Sequence, residues 1–96
     1  MPKAKKEMDV TLVFPDVHLM RLRVWEVLEP VPSSEHRFKY SLFYGRPGER
    51  VVLYDNERGK GDHRYYGERE EAYVFTDVDT LRSDFLADVQ RVRSGA

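Results

Sequence analysis

Apolar and polar side chains alternate along the first half of the chain. An apolar residue stands at every second position from Met8 to Phe14, and a second alternating run extends from His18 to Leu28. A period of two is typical of β-strands that bury one face. Pro15-Asp16 separates the two runs and supplies a turn, so the pattern predicts a β-hairpin.

Three more strands are expected further along the chain. The run Arg37–Tyr44 places aromatic and aliphatic side chains on one face, and the β-branched run Arg50–Tyr54 follows it. Between these runs, Gly45–Glu49 contains the Pro-then-Gly sequence of a tight reversal. A fifth short strand is predicted at Ala72–Phe75. Strands that follow one another through short turns indicate an antiparallel meander.

The end of the chain changes to a helical period. Apolar residues recur there at spacings of three and four: Val78, Leu81, Phe85, Leu86, Val89 and Val92. Thr76 followed by Asp79 has the form of a capping box with Thr76 as N-cap, so the helix is predicted at 76–93. One C-terminal amphipathic helix packed on one face of an antiparallel sheet of about five strands is an α+β fold.

Length and composition fit this architecture. The 96 residues suffice for a single domain, 1–96, with 41% hydrophobic residues to form its core. Residues 1–7 are expected to form a flexible basic arm. Cysteine is absent, which excludes a disulfide framework and a thiolate metal site. With no apolar run long enough for a membrane span or a signal peptide, we expect a cytoplasmic protein that does not enter membranes.

Charge is distributed unevenly along the chain. The totals of 16 Lys and Arg and 17 Asp and Glu give a net charge of −1, which excludes a protein coated with positive charge for nonspecific nucleic-acid binding. Residues 36–67, however, hold seven Lys and Arg against four Asp and Glu, a net charge of +3. A local phosphate-binding surface is therefore compatible with the near-neutral total.

The positive block contains the segment Tyr54–Gly67, which combines three glycines with Lys, Asp, His, Arg and Tyr side chains. Metal-independent cleavage of an RNA phosphodiester needs a proton-transfer group and cations around the phosphorane. His63 could transfer the proton, and Lys60, Arg58 and Arg64 could stabilise the charge. The candidate catalytic residues are Lys60, Asp62, His63 and Arg64. The candidate RNA-binding residues are Arg46, Arg58, Tyr65 and Tyr66.

An extended backbone would divide this site, because Asp62 and Arg64 would point one way and His63 and Tyr65 the other. The alternative interpretation is a glycine-rich hairpin in which Asp62 and Arg64 form a surface ion pair and His63 caps a turn. A metal site through Asp55, Asp62 and His63 has no recognised ligand spacing, so we expect no metal and no cofactor.

Other side chains with chemical potential have simpler interpretations. His18, at a strand start, and His36, in a polar loop, are interpreted as solvated residues. Trp25, Tyr40 and Phe43 could stack RNA bases on a sheet face, although aromatic residues in so small a domain are more often part of the core.

Several motifs together resemble the TumE family of bacterial toxins. They are Phe38–Gly45 (FKYSLFYG), Tyr54–Asn56 (YDN), Lys60–Arg64 (KGDHR), Tyr66–Phe75 (YGxREExYxF, where x is any residue) and Asp84–Val89 (DFLADV). The resemblance implies the toxin half of a type II toxin–antitoxin pair, with a helix-turn-helix antitoxin encoded nearby as its partner. Tyr65 stands where the family commonly has a second histidine.

Three functions remain open at this point. The first is a toxin that acts as a metal-independent endoribonuclease through Lys60–Tyr66, with RNA as its substrate. The second is a non-catalytic module that binds the helix-turn-helix partner, and the third is a toxin with another target. A homodimer is a further alternative, since Val51–Leu53 would pair with a second chain if it formed a sheet edge.

Overall fold

A computed structural model describes residues 5–30, 34–57 and 60–95. Within these ranges the chain forms six strands and one helix. The elements are β1 (Lys5–Val13), β2 (Leu19–Glu26), β3 (Phe38–Arg46), β4 (Glu49–Glu57), β5 (Gly61–Tyr66), β6 (Arg69–Ala72) and α1 (Val78–Arg93).

The strands form one antiparallel sheet in sequence order, β1 to β6. Each strand therefore pairs only with its neighbours along the chain, which is the predicted meander. The α+β fold with a single C-terminal helix is confirmed, and the sheet has six strands where about five were expected.

The additional strand comes from the polar part of the chain. The predicted fifth strand at Ala72–Phe75 is wrong, since only Ala72 belongs to a strand, and β5 and β6 lie before it. Gly67 has a φ of 63° in the turn between β5 and β6, a conformation that glycine adopts without steric cost. These two strands carry mostly polar residues, so their period of two is invisible as hydrophobic alternation.

The helix covers one face of the sheet, which we call the helix face. Phe85 of α1 packs edge-on against Tyr54 of β4, with ring centroids 5.6 Å apart. The core combines Leu81, Phe85 and Val89 of the helix, and Tyr73 after β6, with the apolar residues that alternate along the central strands: Leu22, Val24, Tyr40, Leu42, Tyr44, Val52 and Tyr54. The opposite side of the sheet, which we call the open face, has no helix over it among the described residues.

The start of the helix differs from the expected capping box. The N-cap is Asp77, whose carboxylate accepts a hydrogen bond from the Thr80 backbone N–H at 2.7 Å, and not Thr76. Asp77 has extended φ and ψ angles, as an N-cap requires, so the helix begins at Val78. The carboxylate of Asp77, one residue later, replaces the predicted threonine as the acceptor.

Two expectations about the sheet edges need correction. Val51–Leu53 lies in β4, between β3 and β5, and is not an edge that could pair with a second chain. Lys5–Glu7 of the expected basic arm begins strand β1, while residues 1–4 lie outside the described residues. The true edges are β1 and β6.

Gly45 is required where β3 meets β4. The ladder shifts register between Tyr44 and Gly45, and a Cβ atom at Gly45 would stand 2.1 Å from the Glu49 carbonyl oxygen. Only glycine leaves room for this close backbone approach.

Candidate functional site

Strand β5 divides the candidate catalytic residues between the two faces of the sheet. Asp62 and Arg64 share the helix face with the buried Tyr54, which is directly opposite Arg64 in the ladder. His63 points to the open face, as the next residue in an extended strand must. Lys60 lies in the turn before β5. No single phosphate group can contact all four residues.

On the helix face, three protein side chains contact the Asp62 carboxylate. Ser34 Oγ donates to Oδ1 at 2.6 Å, and Tyr40 Oη donates to Oδ2 at 2.7 Å. His36 Nε2 lies 2.6 Å from the same Oδ2. Asp62 therefore ties the segment before β3 to β5, and it does not form the surface ion pair with Arg64 that the sequence suggested as an alternative.

His36 is part of this network, although the sequence indicated a solvated residue. Its Nδ1 accepts a hydrogen bond from the Phe38 backbone N–H at 3.1 Å, so its Nε2 carries the proton that is donated to Asp62. The ring also stacks on Phe75, with centroids 3.8 Å apart. Since both ring nitrogens are committed to the protein, His36 has a structural role, beside a cleft of about 320 Å³ lined by Glu35, His36, Asp62, Tyr73, Val74 and Phe75.

Asn56 of the Tyr-Asp-Asn motif is fully buried and joins two strands through its side chain. Its Oδ1 accepts from the Tyr40 backbone N–H at 3.0 Å, and its Nδ2 donates to the Phe38 carbonyl at 2.6 Å. The side-chain amide thereby replaces the backbone ladder beyond Ser41, where the pairing of β3 with β4 stops.

Arg64 lies among aromatic rings beneath the helix. Its Nε donates to Glu71 Oε1 at 2.6 Å, and its guanidinium carbon lies 5.6 to 5.9 Å from the ring centroids of Tyr54, Tyr66 and Tyr73. Desolvation by burial works against its charge, but the hydrogen bonds with Tyr54 and Glu71 outweigh it and raise the pKa of Arg64. Arg64 thus has partners that hold it within the fold.

Two tyrosines converge on Asp88 of the helix. Tyr54 Oη and Tyr66 Oη both donate to Asp88 Oδ2, the second at 2.7 Å, and Arg91 Nη2 lies 2.7 Å from the other carboxylate oxygen. Burial and the hydrogen bond to this carboxylate raise the pKa of Tyr54 and of Tyr66. Tyr66 therefore anchors α1 to β5, a structural contact for a residue expected to bind RNA.

On the open face, His63 belongs to a cluster centred on Glu70 of β6. His63 Nδ1 lies 3.1 Å and Lys60 Nζ 3.7 Å from Glu70 Oε2, and Tyr65 Oη donates to the same oxygen at 2.7 Å. The hydrogen bond from Tyr65 lowers the pKa of Glu70, so the carboxylate is charged at neutral pH. We call Lys60, His63, Tyr65 and Glu70 the Glu70 cluster.

The open face also carries cations interleaved with aromatic rings. Register pairs Arg21 with Phe43, Arg23 with Ser41 and Trp25 with Lys39. The guanidinium of Arg23 lies 5.3 Å from the Trp25 ring, and Trp25 and Phe43 are each half-buried. Tyr40, by contrast, is fully buried on the helix face, so it is a core residue and not a stacking platform.

Three of these cations lack a carboxylate partner. Among the described residues, no Asp or Glu oxygen lies within 4 Å of Arg21, Arg23 or Lys39. Arg23 Nε is also shielded from solvent and has no hydrogen-bond acceptor in the described part of the chain. Lys39 donates only to a neutral group, the Asn56 carbonyl, at 2.9 Å. The open face therefore places three cations on β2 and β3 without a carboxylate within 4 Å, although Asp9 lies opposite Arg23 in the ladder and Asp55 opposite Ser41.

The remaining expected RNA-binding residues are dispersed. Arg46 is exposed at the β3–β4 turn, at the end of the sheet opposite to Lys60. Tyr65 is on the open face but is 7% exposed, because the Arg50 guanidinium lies 4.2 Å from its ring centroid. Arg58 lies outside the described residues.

Sequence reasoning missed Glu70 and His36. Glu70 meets His63 across the turn between β5 and β6, whereas His36 meets Asp62 at a separation of 26 residues. The strand alternation could have found Glu70, because it faces Tyr65 in the ladder once β6 is assigned. His36 had no such signal, since it precedes β3.

The structure offers no preformed metal centre or membrane span in its described part. No group of three or more His, Cys, Asp and Glu side chains is placed there to hold a metal ion. The one helix in those ranges lacks the length and the apolar character needed to cross a membrane.

No curated protein and no solved structure matches the chain. A family model described as Toxin TumE matches residues 4–93, which include both faces of β5, the Tyr-Asp-Asn motif and the helix. The chain belongs to the TumE toxin family.

Proposed function

We propose that this toxin binds single-stranded RNA on the open face of the sheet and cleaves it, without a metal ion, at the Glu70 cluster. The observation that carries the proposal is the arrangement of Arg21, Arg23 and Lys39 without carboxylate partners beside half-buried Trp25 and Phe43. A surface that binds single-stranded RNA needs cations along the path of the sugar–phosphate backbone and aromatic rings on which the bases stack.

The Glu70 cluster supports cleavage at one end of this surface. It lies three strand spacings, about 14 Å, from the cations of β2. In the structure His63 Nε2 donates to the Lys60 carbonyl at 2.5 Å, and Nδ1 lies 3.1 Å from Glu70 Oε2 without a hydrogen bond. In the proposal the proton moves to Nδ1, where Glu70 accepts it, and Nε2 becomes the proton acceptor for the substrate. Carboxylate-oriented imidazole is a well-suited base at neutral pH.

The reaction needs no group beyond the protein and water. His63 takes the proton of a 2′-hydroxyl, the 2′-oxygen attacks the adjacent phosphorus, and the bond to the 5′-oxygen breaks as that oxygen takes a proton from water. The Lys60 ammonium stabilises the charged phosphorane. The products are a 2′,3′-cyclic phosphate and a 5′-hydroxyl end. Asp62 and Arg64, on the other face, maintain the fold in this proposal.

The toxin is further proposed to act in the cytoplasm and to be neutralised by a protein antitoxin of the helix-turn-helix class. The family supplies the toxin role and hence the need for an antitoxin. Arg46 and Arg58 remain proposed RNA contacts at the margins of the open face.

The test combines binding, cleavage and growth. Arg21→Glu with Arg23→Glu should weaken binding of a fluorescent single-stranded RNA at least tenfold and flatten its salt dependence. Arg82→Glu, on the exposed side of the helix, is the matched control and should bind like the unchanged protein. His63→Ala should abolish RNA cleavage and growth arrest while the circular dichroism spectrum stays the same.

Three results would contradict the proposal. Intact RNA in arrested cells would indicate another target, and equal binding by the Arg21/Arg23 and Arg82 variants would exclude the open face. Association with a helix-turn-helix protein in the absence of any toxicity would favour the non-catalytic interaction module.

A further inference from the structure

Strand β1 leaves an apolar edge on the described molecule. Its residues Val10 and Leu12 lie on the helix face, opposite Leu22 and Met20, yet they are 47% and 45% exposed. Leu22, one strand further in, is 3% exposed. The helix packs over the middle of the sheet and leaves the apolar side chains of β1 in solvent.

The protection usual for sheet edges is confined to the first part of β1. Lys5, Lys6 and the register shift between Lys6 and Met8 all lie at its start. Natural edges are guarded by such charges and bulges. From Met8 to Val13 the only charged side chain is Asp9. Edge strand β6 differs, since three of its four residues are charged.

We infer that β1 pairs antiparallel with β1 of a second copy, about a two-fold axis at Val10. This register sets Val10 against Val10 and Met8 against Leu12 on the helix face. On the open face it sets Asp9 against Thr11. The pairing uses the stretch from Glu7 to Val13 and brings no two like charges together.

Neighbouring registers are less favourable. An axis at Asp9 would put that carboxylate against its own copy, which is destabilising in an antiparallel pair. An axis at Thr11 keeps only the stretch from Asp9 to Val13 within the strand and pairs Asp9 with Val13. The apolar triplet Met8, Val10, Leu12 is symmetric about Val10 alone, which is why a second copy fits this edge better than an unrelated strand.

The dimer would also change the RNA-binding surface, a point that rests on the proposed function. A two-fold axis perpendicular to the sheet keeps the two open faces on the same side. Arg21 and Arg23 of β2 would then lie one strand from the axis in each copy. The two RNA-binding surfaces would join into one.

Cysteine cross-linking tests the register without any RNA. The chain has no cysteine, so each variant carries a single thiol. Val10→Cys should give a disulfide-linked dimer on mild oxidation, because opposed Cα atoms in an antiparallel pair are about 4.5 to 5.5 Å apart. Thr11→Cys is the matched control and should not cross-link, since the predicted register separates its two copies by more than about 7 Å.

Sedimentation equilibrium tests the interface itself. The unchanged protein should be dimeric at high micromolar concentration, and Val10→Lys should weaken dimerisation at least tenfold by opposing two ammonium groups. Leu86→Lys, on an exposed helix position, should leave the dimer intact. A monomer at every concentration, a dimer indifferent to Val10→Lys, or cross-linking through Thr11→Cys in place of Val10→Cys would each overturn the inference. None of these readouts depends on RNA cleavage.

Discussion

Asn56 illustrates how a single side chain can replace a stretch of β-ladder. It is fully buried, and its amide satisfies a backbone N–H of Tyr40 and a backbone carbonyl of Phe38. Neither backbone group has a strand partner there, because pairing between β3 and β4 ends at Ser41. The Tyr-Asp-Asn motif is therefore explained in part by the fold.

Replacing Asn56 by alanine is expected to lower the free energy of unfolding by about 2 to 4 kcal/mol, because two buried backbone groups lose their partners. Urea denaturation followed by tyrosine and tryptophan fluorescence measures the change. Ser41→Ala, at a half-buried position on the open face, provides the comparison and should change stability little. Equal losses in the two variants would contradict the role assigned to Asn56.

Adjacent residues of β5 also have different roles. Asp62 holds Ser34, His36 and Tyr40, whereas His63 faces Glu70 on the other side of the sheet. The residues of the Lys-Gly-Asp-His-Arg motif were recognisable from the sequence, and strand alternation predicted that an extended backbone would separate them. It could not say which side the helix would cover.

The helix shows the difference between an apolar pattern and a buried position. Phe85 is fully buried against Tyr54, while its neighbour Leu86 is 37% exposed although both fit the helical period. A stripe of apolar residues defines the direction of a helix face but not how far the sheet extends beneath it.

Phe85→Ala is therefore expected to cost about 3 to 5 kcal/mol, the range for emptying a large buried site. Leu86→Ala should cost less than about 1 kcal/mol, because its side chain is partly in water already. The two midpoints in urea measure this difference. Similar losses would mean that the helix packs on the sheet through another face.

The elements that were predictable are those with a hydrophobic pattern. Strands β1 to β3 alternate, β4 contains a β-branched run, and the helix has apolar residues at spacings of three and four. Strands β5 and β6 lack such a pattern because they carry mostly polar residues, and the partners of these residues, such as Glu71 for Arg64 and Asp88 for Tyr66, depend on how the chain folds. Such contacts depend on tertiary structure, and this is also why the Glu70 cluster did not emerge from the residue types.

At the scale of the whole molecule, the near-zero net charge coexists with a charge separation between faces. The unpaired cations of β2 and β3 are on the open face, and the carboxylates of Asp84 and Asp88 are engaged by tyrosines on the helix face. These carboxylates are thus held by tyrosine hydroxyls, and in Asp88 also by Arg91, and not by the cations of the open face.

This tyrosine network makes stability depend on pH in the alkaline range. Burial raises the pKa of Tyr40, Tyr54 and Tyr73 above the ordinary value of 10.0. Groups with a raised pKa contribute stability that is complete below the unfolded value and is lost as pH rises toward the folded value. At about pH 11 the free energy of unfolding should fall by about 1 kcal/mol per tyrosine relative to about pH 8.

Urea denaturation at the two pH values measures this loss, and Tyr73→Phe should show a smaller pH dependence. The same unfolding free energy at both pH values would contradict the assignment. The hydrogen bond to Glu70 also raises the pKa of Tyr65 on the open face, so the comparison with Tyr73→Phe is what assigns part of the effect to the helix face.

The sequential order of the strands also determines when the sheet is protected during synthesis. Each hairpin needs only residues already made, so the strands can pair as they leave the ribosome. Leu81, Phe85 and Val89, which cover Tyr54 and its neighbours, come last among the described elements. A growing chain therefore exposes its apolar face until the helix emerges, and a truncated chain that stops before α1 should aggregate before it could become toxic.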